Sequence, residues 1–184
     1  FLRPLGLRLV LSPLVKDENQ VYRMDFEDMV KTARYWVSEI QKKEQPDLLV
    51  GLFHSGFNYN YAGENAETPR NENAGVLVAQ QVDGFDVIIL GHDHQAKQME
   101  ITNNAGHKVV ILDPKSHANY LGKIDITLTR VGNAYDKNIT TALIDLSKIE
   151  KDTAYLNRFA PAIEKVKAYI NTEIGEFKEP LSGR

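Results

Sequence analysis

Two short apolar segments constrain the fold of this chain most strongly, because each of them runs directly into a histidine. Residues 47–53 read Asp-Leu-Leu-Val-Gly-Leu-Phe before His54, and residues 86–90 read Asp-Val-Ile-Ile-Leu before Gly-His-Asp-His at 91–94. Apolar runs of about four to eight residues are typical of strands buried on both faces of a sheet. Helical patterns alternate with them along the chain, so the sequence predicts an α/β fold, which some schemes class as α+β.

The helical patterns are recognised by apolar residues spaced three and four apart. Residues 25–44 have this spacing, with Asp25 as the predicted N-cap. A short helix is predicted over 72–82 and a longer one over about 153–174, which Pro161 could split. These helices separate the two apolar strands from each other and from the end of the chain.

The middle of the chain predicts further strands. A turn composition separates 98–102 from 108–112, which indicates a β-hairpin, and residues 123–130 and 139–146 are predicted to be antiparallel strands. Residues 56–73 are rich in Asn, Gly, Tyr and Glu without apolar periodicity, and polar loops of this length are usually functional or disordered. We therefore expect this loop to contribute to a binding site.

Composition limits the chemistry that the chain can perform. It has 184 residues, 42% hydrophobic and 26% charged, with a formal net charge of −3 and no cysteine. The length fits one globular domain, and no apolar run approaches the roughly 18–20 residues of a membrane span. Without a basic cluster a nucleic-acid polymer is not an expected partner, and without cysteine a metal site must use His, Asp, Glu or Asn. A small-molecule substrate fits these limits.

The histidines are the candidate functional residues. His54, His92 and His94 follow the two apolar strands, at the end of an α/β sheet where ligands usually bind. Neutral imidazole is a ready metal ligand, and a His-x-His pair in extended backbone directs both rings to one side. We therefore predict His54, His92 and His94 as metal ligands, with Asp93 facing solvent.

Two further residues are weaker candidates for substrate binding. His117 lies in a loop that could border the same crevice, although a plain surface position explains it more simply. Asn58 lies in the long polar loop, where it and its tyrosine neighbours could contact a base or a sugar. An ordinary polar surface loop explains Asn58 equally well. No residue is assigned as catalytic.

Four stretches of the sequence carry a resemblance to a known family. They are residues 46–56, 63–66, 86–94 and 120–128. Together they resemble the second half of a calcineurin-like metallophosphoesterase domain, closest to the bacterial branch of 5′-nucleotidases and 2′,3′-cyclic-nucleotide 2′-phosphodiesterases. The fold implied is an incomplete part of a four-layer α/β/β/α sandwich.

The resemblance also implies a division of the chain into three parts. Residues 1–24 match the family poorly, residues 25–174 correspond to the second half of its domain, and residues 175–184 resemble a linker toward a C-terminal domain absent from this chain. Members of this branch are typically exported, which implies a periplasmic or cell-surface location, although this chain contains no signal peptide.

The activity implied by the resemblance is hydrolysis of nucleotides or cyclic nucleotides at a site with two divalent ions such as Zn, Mn or Fe. In such a site the ions bind phosphate oxygens and activate a water molecule. By position in the motifs, His54 and His92 would bind one ion and His94 the other.

This sequence departs from the family pattern in its first part. It lacks the Asp-x-His, Gly-Asp and Gly-Asn-His-Glu elements of the family, so no carboxylate is available to bridge two ions. We therefore expect the chain alone to be inactive or weakly active. Two alternatives remain open: a non-catalytic fragment or binding module, and a mononuclear metal hydrolase using the three histidines and a water. Strand edges left without neighbours also predict a homodimer.

Overall fold

The computed structural model describes residues 15–16, 22–23 and 27–176. The first two pairs form short strands, β1 (Val15–Lys16) and β2 (Tyr22–Arg23), which pair in antiparallel fashion. The N-cap predicted at Asp25 lies outside the described residues, as do most of the 1–24 segment and positions 177–184 of the predicted linker.

From residue 27 onward the elements follow the predicted order. They are α1 (Met29–Lys43), β3 (Val50–Leu52), α2 (Gly75–Gln81), β4 (Val87–Ile89), β5 (Ala96–Thr102), β6 (Lys108–Pro114), β7 (Tyr120–Val131), β8 (Ala134–Asp145) and α3 (Thr153–Ile170). The predicted helices and strands of this range are confirmed in type. Pro161 lies inside α3, and the helix continues through it although proline removes one backbone hydrogen bond.

The cap of α1 shows how the chain enters the fold. Asp28 is the N-cap, because its backbone is extended and its side chain accepts a hydrogen bond from the Lys31 amide at 2.9 Å. The N-cap was predicted at Asp25, so this prediction is wrong by three residues. An aspartate at either position suits the free amides of a helix start, and spacing alone does not distinguish them. From this start, Ala33 and Val37 of α1 are buried.

The central sheet has the strand order β3-β4-β6-β5. β3, β4 and β6 are parallel, and β5 pairs antiparallel with β6 through the predicted hairpin. The carboxyl ends of the three parallel strands therefore lie along one edge of the sheet. The residues that follow them are His54, the 91–94 segment and the 115–119 loop.

The two faces of this sheet have different coverings. Ile88, Val109 and Ile111 belong to a buried cluster with α1 and α2. On the other face, β7 packs closely against β6. Gly122 of β7 lies over Leu112 of β6, and a Cβ added to this glycine would be only 2.7 Å from a methyl carbon of the leucine. β7 and β8 form a long antiparallel hairpin. The first unit is therefore a mixed α/β structure of a four-stranded sheet, two helices and a hairpin.

The chain divides into two compact units, residues 1–147 and 148–184. The sheet, the hairpin and all the candidate site residues belong to the first unit, whereas α3 belongs to the second. Every buried hydrophobic residue of the described chain lies between Ala33 and Leu112. Among the described helices, none has the length and apolar character needed to cross a bilayer.

Candidate functional site

His54 and His92 lie side by side at the carboxyl edge of the sheet. They follow the adjacent parallel strands β3 and β4, whose register pairs Leu52 with Ile89. Their ring centroids are 5.2 Å apart and their planes are inclined by 75°. His54 is exposed and the side chain of His92 retains 33% of its exposure, so solvent reaches both imidazoles. Parallel pairing thus brings together two histidines that are far apart in sequence.

His94 and His117 form a second pair at the same edge. Their ring centroids are 5.8 Å apart, with an interplanar angle of 71°. His117 is exposed, and its Nδ1 lies 2.8 Å from the hydroxyl of Ser116. The loop after β6 therefore reaches the segment after β4. The assignment of His117 to substrate binding stays a prediction.

The histidines do not by themselves form a metal centre. Within residues 27–176 and the two short strands, no three His, Asp or Glu side chains are grouped so that they could hold an ion. One carboxylate oxygen lies near the first pair, with Glu72 Oε1 at 3.6 Å from His92 Nε2. Two rings and one distant, 68% exposed carboxylate are an incomplete ligand set for a divalent cation. The assignment of His54, His92 and His94 as metal ligands stays a prediction.

The backbone that carries His92 and His94 is a turn and not the extended segment that was expected. The φ angles are +92° at His92 and +58° at His94, in a region that non-glycine residues rarely adopt. β4 ends at Ile89, so strand geometry does not determine where these rings point. Strained backbone of this kind costs on the order of 1–3 kcal/mol per residue and clusters at functional sites.

Asp93, between these histidines, was predicted to face solvent, and this prediction is wrong. Its Oδ2 accepts a hydrogen bond from the Phe57 amide at 2.8 Å, and its Oδ1 accepts one from the Gln95 amide at 3.2 Å. The positive φ at His92 changes the direction of the chain, so alternation along a strand does not apply here. Asp93 is thus a structural acceptor that joins two loops.

Asp113 is a second acidic residue that sequence reasoning missed. It lies at the end of β6, is 0% exposed, and accepts a hydrogen bond from the Lys115 amide at 3.1 Å. Burial raises the pKa of Asp113 to about 6, the nearby Asp93 carboxylate adds to the rise, and the Lys97 ammonium opposes it. A carboxylate that ends an otherwise apolar strand, Val-Val-Ile-Leu-Asp, is the signal that could have drawn attention to it.

The long loop after His54 is held by buried polar side chains. Asn71 is 2% exposed and donates to the carbonyl of Tyr59 at 2.8 Å. Ser55, fully buried, donates to the carbonyl of Glu72 at 2.8 Å. Asn58 is exposed, and its side chain accepts from the Asn60 amide at 3.2 Å. The loop is therefore an ordered structure, and a substrate contact of Asn58 stays a prediction.

Comparison with solved structures relates this fold to part of the 5′-nucleotidase structures. The chain superposes on a 5′-nucleotidase precursor from Thermus thermophilus with a TM-score of 0.58 and 18% identity, covering 82% of this chain and 29% of that one. It also superposes on a protein from Staphylococcus aureus described as a 5′-nucleotidase, with a TM-score of 0.53 and 15% identity, covering 77% and 27% of the two chains. At these identities the likeness concerns the fold.

Sequence comparison adds a relation to one curated protein. The chain is 28% identical over 164 residues to the trifunctional nucleotide phosphoesterase protein YfkN of Bacillus subtilis (strain 168), a match that covers 86% of this chain. No protein-family model matches the chain. The chain spans 10% of the length of YfkN and less than a third of the two nucleotidase structures. The chain is thus similar in sequence to a segment of one nucleotide phosphoesterase protein and in fold to part of the 5′-nucleotidase structures.

Proposed function

We propose that this chain is a segment of a phosphoester hydrolase that acts on nucleotides or cyclic nucleotides. The observation that carries the proposal is the His54–His92 pair, held with its rings 5.2 Å apart at the ends of two parallel strands. The similarity in sequence to a nucleotide phosphoesterase supports the same chemistry. The proposed segment would be part of a four-layer sandwich that other parts of the protein complete.

In the proposed site the chain supplies His54, His92 and His94 to a centre with two divalent ions. Such ions, when bound, neutralise phosphate oxygens and activate water for attack on phosphorus. Because the described donors are incomplete, the proposal requires carboxylate ligands from outside the described residues. The contribution of this chain is to hold imidazoles at a solvent-accessible edge, next to His117 and the ordered loop that contains Asn58.

The test is metal binding by the chain, followed by imidazole NMR signals during titration with Zn²⁺ or Mn²⁺. We expect the signals of His54, His92 and His94 to respond first, and His92→Gln to weaken binding about tenfold or more. His107→Gln is the matched control, because His107 pairs with Asp83 on the far side of the β5–β6 hairpin and belongs to neither imidazole pair. The proposal is overturned if millimolar metal leaves His54 and His92 unchanged, because two adjacent, solvent-accessible imidazoles should bind a divalent ion even without the missing carboxylates, or if the metal shifts His107 equally.

The same titration separates the alternatives by stoichiometry. One ion per chain with retained esterase activity favours a mononuclear hydrolase, whose three protein ligands would be the same histidines. A non-catalytic module is the second candidate, and the incomplete ligand set among the described residues is the observation that favours it. For such a module, a longer protein that contains this chain would lack activity toward 2′,3′-cyclic nucleotides.

A further inference from the structure

A single carboxylate fastens the two loops that carry the first histidine pair. Phe57 lies three residues after His54, and its amide donates to Asp93 Oδ2 at 2.8 Å. Asp93 directly follows His92, so the hydrogen bond ties the loop after β3 to the turn after β4. The second oxygen of Asp93 accepts from the Gln95 amide and closes the turn on itself. The backbone hydrogen bonds between β3 and β4 end with the Phe53 amide donating to the Ile89 carbonyl at 2.9 Å, so strand pairing does not reach Phe57 or Asp93.

The carboxyl group of Asp113 lies next to that of Asp93 and is buried from solvent. Asp113 is 0% exposed, and its Oδ2 has no hydrogen-bond partner in the described part of the chain. Leaving a buried polar atom unpaired costs on the order of 1–3 kcal/mol, more for a charge, so such an atom in a native fold calls for an explanation. The neighbour that can supply the missing partner is Asp93, because a hydrogen bond between the two carboxyl groups, formed when Asp113 is protonated, favours the neutral acid and raises the pKa of Asp113.

We propose that Asp93 and Asp113 are positioning residues, which together hold the 91–94 turn against the loop after His54 so that the imidazoles of His54 and His92 stay adjacent. Asp113 connects this pair of carboxyl groups to β6, because its other oxygen accepts from the Lys115 amide. The pair thus links the ends of all three parallel strands. The use of this arrangement in hydrolysis rests on the proposed function, whereas the positioning of the His54 and His92 rings by the two carboxyl groups does not.

The backbone strain in the turn explains why such a link is needed. His92 and His94 both have positive φ, and residues in these conformations persist only where the surrounding structure over-determines them. The two amide hydrogen bonds to Asp93 supply part of that constraint, and hydrogen bonds to a charged acceptor are the stronger kind. Loss of the carboxylates would let the turn relax and separate the rings.

The experiment compares four variants of the chain by NMR in the absence of metal and substrate. Asp93→Ala removes the acceptor, and Asp113→Leu replaces the buried carboxyl by an apolar group of similar size. Asp113→Asn is the conservative variant, because its amide can donate to Asp93 while its oxygen still accepts from Lys115. Val109→Ala is the matched control, since Val109 is equally buried in β6 but lies in the helix-side core.

We expect Asp93→Ala and Asp113→Leu to speed hydrogen exchange of the Phe57 amide at least about tenfold relative to core amides, and to abolish the ring contact between His54 and His92. Asp113→Asn should preserve both the slow exchange of the Phe57 amide and the ring contact. Val109→Ala should speed exchange of the Phe57 amide by no more than it speeds exchange of the core amides. The proposal is overturned if Asp113→Leu retains the ring contact, or if Asp113→Asn loses it as completely as Asp113→Leu does. If the chain proves to bind no metal, only the proposed function fails, because these readouts need neither metal nor turnover.

Discussion

At the scale of single residues, the buried Asp113 carboxyl makes stability depend on pH. Its pKa is raised from 3.8 to about 6, first by burial and then by Asp93. Because the folded pKa exceeds the unfolded one, the protonated form is favoured by folding. Its contribution is fully present below about pH 4 and is lost as the pH rises through about 6.

Replacing this carboxyl by an amide should remove that dependence. We expect Asp113→Asn to gain about 2–3 kcal/mol of unfolding free energy relative to the wild type between about pH 4 and pH 7. Urea unfolding at a series of pH values measures the difference. Asp125→Asn, at an exposed carboxylate paired with Lys123, is the control and should not reproduce it. Parallel pH profiles for wild type and Asp113→Asn would contradict the prediction.

Two glycines at the same edge of the sheet should respond differently to substitution. A Cβ at Gly56 would lie 1.9 Å from Asn73 Oδ1, and Asn73 is only 3% exposed, so it has little room to withdraw. We expect Gly56→Ala to cost about 1–3 kcal/mol through this overpacking. Gly91→Ala is the matched comparison, because the added carbon would meet only His54 Nδ1 at 3.9 Å. Thermal unfolding measures both, and equal losses would show that packing at Asn73 is not the cause.

At the scale of elements, periodicity and turn composition located most helices and strands and the β5–β6 hairpin, but did not determine the strand order of the central sheet. The apolar run at 86–90 predicted a strand, and β4 lies there. Turn composition predicted the hairpin that β5 and β6 form. β6 lies between β4 and β5 in the sheet. This order depends on contacts between residues far apart in sequence, which the spacing of apolar residues within one element does not specify. The same limit applies to the site. Histidines after strands were recognisable, whereas the inward direction of Asp93 depends on a turn with positive φ.

Asp86 joins three elements of the first unit and should matter more than an ordinary ion pair. Its Oδ2 accepts from the Leu49 amide at 2.8 Å just before β3, and its Oδ1 lies 2.6 Å from Lys137 Nζ on β8. The side chain of Asp86 is only 16% exposed, so water replaces these partners poorly. Asp86→Ala should therefore lower the unfolding free energy by about 2–3 kcal/mol.

The comparison for this prediction is the exposed pair of Lys123 and Asp125, whose side chains are 54% and 61% exposed. Exposed pairs of this kind contribute at most about 1 kcal/mol, so Asp125→Ala should change stability little. Denaturant unfolding of the two variants at neutral pH measures the contrast. If Asp86→Ala lowers the unfolding free energy no more than Asp125→Ala does, the contacts of Asp86 with Leu49 before β3 and with Lys137 on β8 are not stabilising.

At the scale of the whole molecule, the first unit should fold cooperatively without the second. The buried hydrophobic residues of the described chain all lie within 33–112, inside the first unit. Because burial of apolar side chains is the main driving force of folding, we expect a chain that ends at Ser147 to unfold in one cooperative transition. Chemical unfolding followed by the near-ultraviolet signal of Trp36, which lies in α1, measures this. A broad, non-cooperative transition would contradict the prediction.

The predicted homodimer would form most readily at the β3 edge of the central sheet. Among the described strands β3 pairs only with β4, and Leu52 on it is 59% exposed. An unpaired edge with an exposed apolar side chain is a template for pairing with another chain, and a lysine at such an edge opposes it. Leu52→Lys should therefore reduce concentration-dependent dimerisation, measured by sedimentation. Val131→Lys, at a similarly exposed residue beside the β7–β8 turn, is the control. If both variants or neither lower the dimer fraction, the β3 edge is not where copies of the chain meet.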